Sequence, residues 1–397
     1  MEASRNAVDR ALLRLEEIHP DPFHAVSRAE FVAAAEELKA RLADLAPEAA
    51  AVELMRLWAR LSVERDGHQF ALPTPDAAET ILPFRVYEFS DGVFITDAMP
   101  PHQELIGSRI TAIGDEPIAD LLASLEPLVP RDSPATVPSF RPIFLLRSTV
   151  LRGLGVIGAG AVPITVEQSG AAETILLEPV SRAEFEDWGG SMAYGLMPYH
   201  GLTARDGLRH AQPSGDQFQI ETMPDSGAVY VRYGRVLPIG RDEIDELEAL
   251  AARPEVDRII VDLRQNTGGD NGSYGTLLAL LRNPAIDRPG RLYVLIDRVT
   301  FSAAANLAAE IEGSTAAIFV GEPMGGGLNF WNDTVPVGLA DFPIPMELAV
   351  STRYWQKSTA DDPRLTITPE LSVPVTAADY FAGIDRALEV AINDHRP

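Results

Sequence analysis

The sequence predicts an α/β chain of several domains: a helical N-terminal region, a β-rich middle and a core in which helices pack on a largely parallel sheet. Three observations predict this. Apolar residues recur at helical spacing from Ser4 to about Leu61, as in FVAAAEELKARLADL and AVELMRLWARL. Residues 82 to 178 cluster or alternate apolar side chains between turn signals. Beyond residue 225, strand-like and helix-like segments alternate, which implies parallel strands joined by right-handed crossovers. The boundaries drawn are 1–80 for the helical region, 81–180 for the β-rich domain, 181–224 for a connector and 225–397 for the α/β core.

Taken in order, HPDPF breaks the first helix from the second, because proline cannot continue a helix interior. The helical region ends at VERDGHQFALPTP. In the middle, FRVYEF, GVFITDA and VPITVEQ read as strands, and IGSRITAIGDEPIADLLASL reads as strand, tight turn, strand, helix. That last shape resembles part of a PDZ-like module, which would receive a peptide as an added strand; an ordinary small β domain has the same pattern. In the core, GAVYVRY, DRIIVDLRQ, RLYVLIDRV and AAIFVGEP are strands, separated by the helices of RDEIDELEALAARP, SYGTLLALLRNP and SAAANLAAEIEG.

The composition, 46% hydrophobic and 23% charged, is that of a globular protein with a core of its own. Thirty-three basic against 58 acidic residues give a formal charge of -25, which repels phosphate backbones and excludes nucleic acid as an expected partner. The absence of cysteine rules out disulfides, thiolate nucleophiles and cysteine-ligated zinc. No run of about 18 apolar residues predicts a membrane span. The charged start has no signal-peptide core, so the chain reads as cytoplasmic, or as secreted or periplasmic if a leader has been removed.

Two core strands end in unusual sequences: VDLRQ runs into NTGGDNG, and VLIDRV runs into TFSAAAN. If these strands are neighbours, both loops share the carboxyl edge of the sheet, where functional loops of parallel strands gather. Gly268 and Gly269 permit positive φ and a close approach of backbone N–H groups to a ligand, although an isolated pair of glycines also suits a plain turn. No Lys-Ser or Lys-Thr pair follows, which disfavours a phosphate loop. Ser302 opens a predicted helix, at the positive end of its dipole. Alone it reads as an N-cap. Together with the Ala303 N–H and the diglycine it supplies the parts of a nucleophile with an oxyanion hole. A base is needed; the lysines, Lys39 and Lys357, are remote in sequence, and the seven histidines, His19, His24, His68, His102, His200, His210 and His395, remain open.

The series DGH at 66–68, DLRQNTGGDN, TFSAAANLA, VGEPMGGG and YWQKSTADDPRLTITPEL resembles, in order, the C-terminal processing peptidase and tricorn-core family of serine peptidases. The resemblance implies a ClpP/crotonase-type core of superhelical ββα units and cofactor-free hydrolysis of a peptide or unfolded protein substrate. It implies that Ser302 is the nucleophile and that the N–H groups of Gly268 or Gly269 and of Ala303 form the oxyanion hole. The lysine that the processing-peptidase branch carries in its glycine-rich stretch is missing from GEPMGGGLN. The tricorn-like branch uses a histidine instead, which falls on His68. Its orienting acid falls near the pair Asp361 and Asp362, with Asp362 chosen, while Gly67 stands where that branch has a serine. The same residues leave two alternatives: a binding protein on this fold without turnover, and a crotonase-type acyl-CoA enzyme. The architecture is compatible with a homo-oligomer.

Overall fold

The structure is a computed structural model that describes residues 2–74, 79–189, 192–193, 197–198, 202–211 and 217–395. It is a mixed α/β protein. Two compact units share the chain: Met1–His200 with Phe330–Tyr354, and Gly201–Asn329 with Trp355–Pro397.

The first unit begins with the helices Glu2–Ile18, Arg28–Arg41 and Pro47–Ala59. Ser27 opens the second with a reciprocal capping box to Glu30, and Pro47 opens the third at the one turn where a missing N–H costs nothing. Buried Phe31 and Trp58 meet edge to face at 6.4 Å between ring centroids, joining the second helix to the third. The β-rich part is an antiparallel sheet ordered Phe84–Phe89, Gly92–Ala98, Arg109–Ile113, Val162–Gln168, Ala171–Leu177. The predicted strand, turn, strand, helix unit is present as Arg109–Ile113, Glu116–Pro117 and Ile118–Leu125, with Gly114 at φ +60° in the turn. Two further helices, Val137–Leu145 and Ser148–Gly153, lie inside the stretch read as β-rich. Pro142 inside the first of them hides its helical character in the sequence, and burial of Phe140, Ile143 and Phe144 compensates for the lost hydrogen bond. A separate sheet pairs Ala71–Pro73 with Met346–Val350 and the latter with Val335–Leu339, all antiparallel.

The second unit is built on a six-stranded sheet ordered Phe218–Met223, Ala228–Tyr233, Arg258–Asp262, Leu292–Ile296, Ile318–Gly321, Leu371–Ser372. The first pairing is antiparallel and the other four are parallel, so each later strand is laid beside the one before it. Ala228–Tyr233 and Leu292–Ile296 are buried at every position, as strands covered on both faces must be. One face packs Tyr230, Ile260, Tyr293, Leu295 and Val320 under Leu388 and Ala391 of the C-terminal helix Arg386–Asn393. The helices Arg241–Ala251, Gly275–Leu281 and Ala303–Glu312 pack one against the next. Val261 pairs with Val294 and Asp262 with Leu295, so the two strands that carry NTGG and TFSAA are neighbours whose carboxyl ends share an edge. No helix among the described residues is long and apolar enough to cross a membrane.

Candidate active site

The strand Leu292–Ile296 leaves the sheet into the turn Asp297–Phe301, which leads directly to Ser302 and the helix Ala303–Glu312. Asp297 shapes that turn by accepting the N–H groups of Val299 at 2.9 Å and Thr300 at 3.1 Å, and it reaches across to the Gln265 N–H at 3.2 Å. Burial, with Glu322 nearby, pushes the Asp297 carboxyl up, while the bonds from Gln265 oppose that shift. Arg298 and Glu322 form a buried two-pronged ion pair with N···O distances of 2.6 and 2.9 Å.

Ser302 adopts φ 55° and ψ -125°, a conformation rarely open to a residue with a side chain. It occupies the N-cap position, yet its side chain makes no capping hydrogen bond. The strained backbone therefore does not serve helix capping. It leads the chain from a strand into the first turn of a helix, where the Ala303 N–H has no intrahelical partner.

The glycine loop is pressed against this serine. A Cβ on Gly268, at φ +105°, would stand 2.6 Å from the Ser302 Cβ and 2.9 Å from the Ala303 nitrogen. The two glycine amides differ. That of Gly268 donates to Asn266 Oδ1 at 2.9 Å. Around Gly269, Val236 takes the Asp270 N–H at 2.8 Å and gives its own to the Gly268 carbonyl at 3.0 Å, a parallel bridge that turns the Gly269 N–H away from Val236. Of the two amides, that of Gly269 takes part neither in the Asn266 bond nor in the bridge to Val236.

Asn266, fully buried, was not singled out from sequence, although it stands two residues before the diglycine. Its side chain donates to the Tyr233 carbonyl at 2.6 Å and accepts from Gly268, and its carbonyl receives the Phe301 N–H at 3.0 Å. One side chain and its own backbone thus tie the glycine loop to the segment before the serine. Gly326 closes the other side: a Cβ there would meet Ala305 Cβ at 2.5 Å, and its N–H donates to the Thr300 carbonyl at 3.0 Å. Asn306, one helical turn beyond Ser302, donates to Asn271 Oδ1 at 2.7 Å and binds the helix to the glycine loop a second time.

Arg264, just before Gln265, is held between Asp262 and Asp385, with its closest contacts at 2.6 and 2.7 Å. Burial would raise the Asp385 carboxyl, but Arg264 and His210 overcome it and hold the group well below the usual carboxylate range.

His68 lies in the other unit and is described there by itself. Its ring stacks on Phe330 with centroids 5.6 Å apart and planes inclined by 10°. Burial pushes the imidazole down to about 3, so it is neutral at neutral pH. The turn that presents it is tightly held. Asp66 accepts from Ser351 Oγ at 2.6 Å and stands 3.1 Å from His19 Nε2. Gly67 N–H donates to Asp132 Oδ1 at 2.6 Å, Arg65 N–H to the Asp132 carbonyl at 2.9 Å, and Trp331 N–H to the Arg65 carbonyl at 2.7 Å.

Two solved structures of mature CPAF, one complexed with lactacystin, match end to end. The complex is 14% identical over 99% of this chain and 100% of that one, with a TM-score of 0.65. The other is 14% identical over 100% of this chain and 99% of that one, with a TM-score of 0.62. The chain has the fold of mature CPAF. At this identity what is shared with mature CPAF is the architecture. Neither a protein-family model nor a curated protein sequence matches the chain.

The remaining candidate residues lie on the CPAF-like scaffold as follows. Asp362 accepts from Arg364 Nη2 at 2.9 Å and from Ser358 Oγ, and these bonds hold its carboxyl well below the usual range. Arg364 in turn reaches Glu312 at 2.8 Å. Asp361 is exposed. Lys357 Nζ is paired with Glu310, which also accepts the Tyr274 hydroxyl at 2.8 Å, so this lysine is committed two turns past Ser302.

Proposed function

We propose that the chain is a serine peptidase in which Ser302 is the nucleophile, His68 the general base, and the N–H groups of Gly269 and Ala303 the oxyanion hole. His68 takes the Oγ proton as Oγ attacks the scissile carbonyl carbon. The oxyanion forms between the two amides; the C–N bond then breaks as the imidazolium returns its proton to the departing amine. Water, deprotonated by the same imidazole, hydrolyses the acyl-enzyme. The reading requires His68 to come within hydrogen-bond reach of Ser302 Oγ. It leaves the acid that orients His68 unassigned, because Arg364 and Ser358 engage Asp362.

The observation that carries this reading is the Ser302 backbone. A positive φ at a residue whose side chain makes no capping hydrogen bond, with Gly268 folded against it, is the kind of local strain that gathers where a reactive side chain is held in place. The substrate class, a peptide or an unfolded protein, follows from the ordered motifs and the CPAF-like fold, and it is part of the same proposal.

A fluorophosphonate probe tests the nucleophile. It should label the parent chain at Ser302 and leave Ser302→Ala unlabelled, and peptide hydrolysis should fall by several orders of magnitude in the variant. Equal labelling of both would overturn the assignment. One observation favours a second reading, a binding protein without turnover: an imidazole held near 3 is a weak base. Absence of labelling in a folded parent chain would select that reading.

A further inference from the structure

Beside the helical region, in the first unit, a surface groove of about 350 Å³ is lined by Arg56, Arg60 and Arg131 over a floor that includes Val63, Ala123 and Pro127. Three arginines in one groove, with Glu126 the one acid lining it, run against the -25 charge of the whole chain. Arg60 is exposed, and among the described residues its side chain makes no hydrogen bond or salt bridge. Arg56 and Arg131 are paired with Glu53 and Glu126, whose side chains are 21% and 47% exposed, so Arg60 is the arginine of the three that is open to a new carboxylate and the other two frame it. Arg131 is also aimed by the backbone: its guanidinium donates to the Glu126 carbonyl at 2.9 Å. Val63 is 44% exposed, an apolar side chain left open beside the charges.

From these features we infer that the groove is a docking site for an acidic peptide segment. Guanidinium groups recognise carboxylates through paired N–H donors, which gives the charged rim its ligand. The apolar floor matches the peptide backbone and short side chains between the acids. The volume falls at the lower end of the range for ligand clefts, roughly 300–1,000 Å³.

The groove also backs onto the turn that carries His68. Arg131 N–H donates to the Ser62 carbonyl at 2.8 Å, and the next residue, Asp132, receives the N–H groups of Arg65 at 2.9 Å and Gly67 at 2.6 Å. The groove wall and the Asp66–Gly67–His68 turn thus share backbone hydrogen bonds through Arg131 and Asp132. The binding claim stands apart from the hydrolytic reading and is tested without turnover.

The test uses the full chain carrying Ser302→Ala and a fluorescein-labelled peptide of alternating glutamate and valine, followed by fluorescence anisotropy. Saturable binding is expected that weakens at least about tenfold in Arg60→Glu, the equivalent of one charge-assisted hydrogen bond. A similar loss is expected when glutamine replaces glutamate in the peptide, and binding should weaken as salt rises. Ala123→Trp, which fills the floor without touching a charge, should block the same peptide and serves if Arg60→Glu does not fold. Unchanged affinity in either folded variant would overturn the inference. So would equal binding of the glutamine peptide, or displacement of the glutamate peptide by inorganic phosphate at matching concentration, which would make the groove a bare-anion site.

Discussion

Gly268→Ala is the sharpest probe of the site because its consequences follow from two distances. The added Cβ would stand 2.6 Å from the Ser302 Cβ and 3.0 Å from the Phe301 carbonyl oxygen, at a backbone φ of +105°. Carbon atoms pack at about 3.5 Å or more, so roughly 1 Å must open between the loop and the serine. The unfavourable φ costs about 1–3 kcal/mol, and the overpacking about as much again. Urea unfolding should therefore show a lower midpoint with an unchanged slope. The displacement of Ser302 is of the size that costs about 10²-fold in rate, so fluorophosphonate labelling should slow by that order even in buffer where the variant is fully folded. Gly275→Ala is the control. At the start of the helix Gly275–Leu281 its Cβ would meet nothing within 4 Å, and the change should stabilise by about 0.4–1 kcal/mol and leave labelling alone. A Gly268→Ala chain that unfolds at the parent's midpoint and labels at the parent's rate would refute the claim that this glycine is pressed against the nucleophile.

Other outcomes follow from the same geometry. Ser302→Gly should be more stable than Ser302→Ala by about 1 kcal/mol in urea titrations, because glycine relieves the strain at φ 55° that alanine retains. Asn266→Ala removes the partners of the Tyr233 carbonyl and the Gly268 N–H, and should cost about 2–4 kcal/mol by urea unfolding together with slower labelling; a loss below about 0.5 kcal/mol would mean the anchor is unimportant. For His68 the folded state holds the imidazole at about 3 against an ordinary 6.5, so the unfolded chain binds the extra proton between these values. Stability from this group is complete above pH 6.5 and is lost as pH falls, by about 3 kcal/mol at pH 4. His68→Gln should lose correspondingly less stability than the parent between pH 7 and pH 4, and parallel losses in the two chains would contradict the buried neutral imidazole.

Much of the candidate site was legible because its parts are local. A strand of buried β-branched residues, a glycine pair and an alanine-rich helix each announce themselves within about ten residues, and RIIVD and LYVLI prove to be adjacent parallel strands with their loops on one edge. The helix Val137–Leu145 was not legible, since its internal proline speaks against a helix and only burial restores it. Asn266 was missed for a different reason. An asparagine near glycines is ordinary turn chemistry, and its partners Tyr233 and Phe301 lie 33 and 35 residues away.

The sequence by itself determined the three N-terminal helices, the alternating strands and helices of the core and where a hydroxyl would meet a helix entrance, because side-chain periodicity and the backbone limits of glycine and proline act over a few residues. Only the tertiary structure decided that Ser302 takes a positive φ and that Gly268 bears on it. The same holds for Asp66, which ties the His68 turn to His19, 47 residues distant, and to Ser351, 285 residues distant. Those contacts come from packing and hydrogen-bond satisfaction among residues remote in the chain, and no local pattern encodes which partner a buried polar group will find.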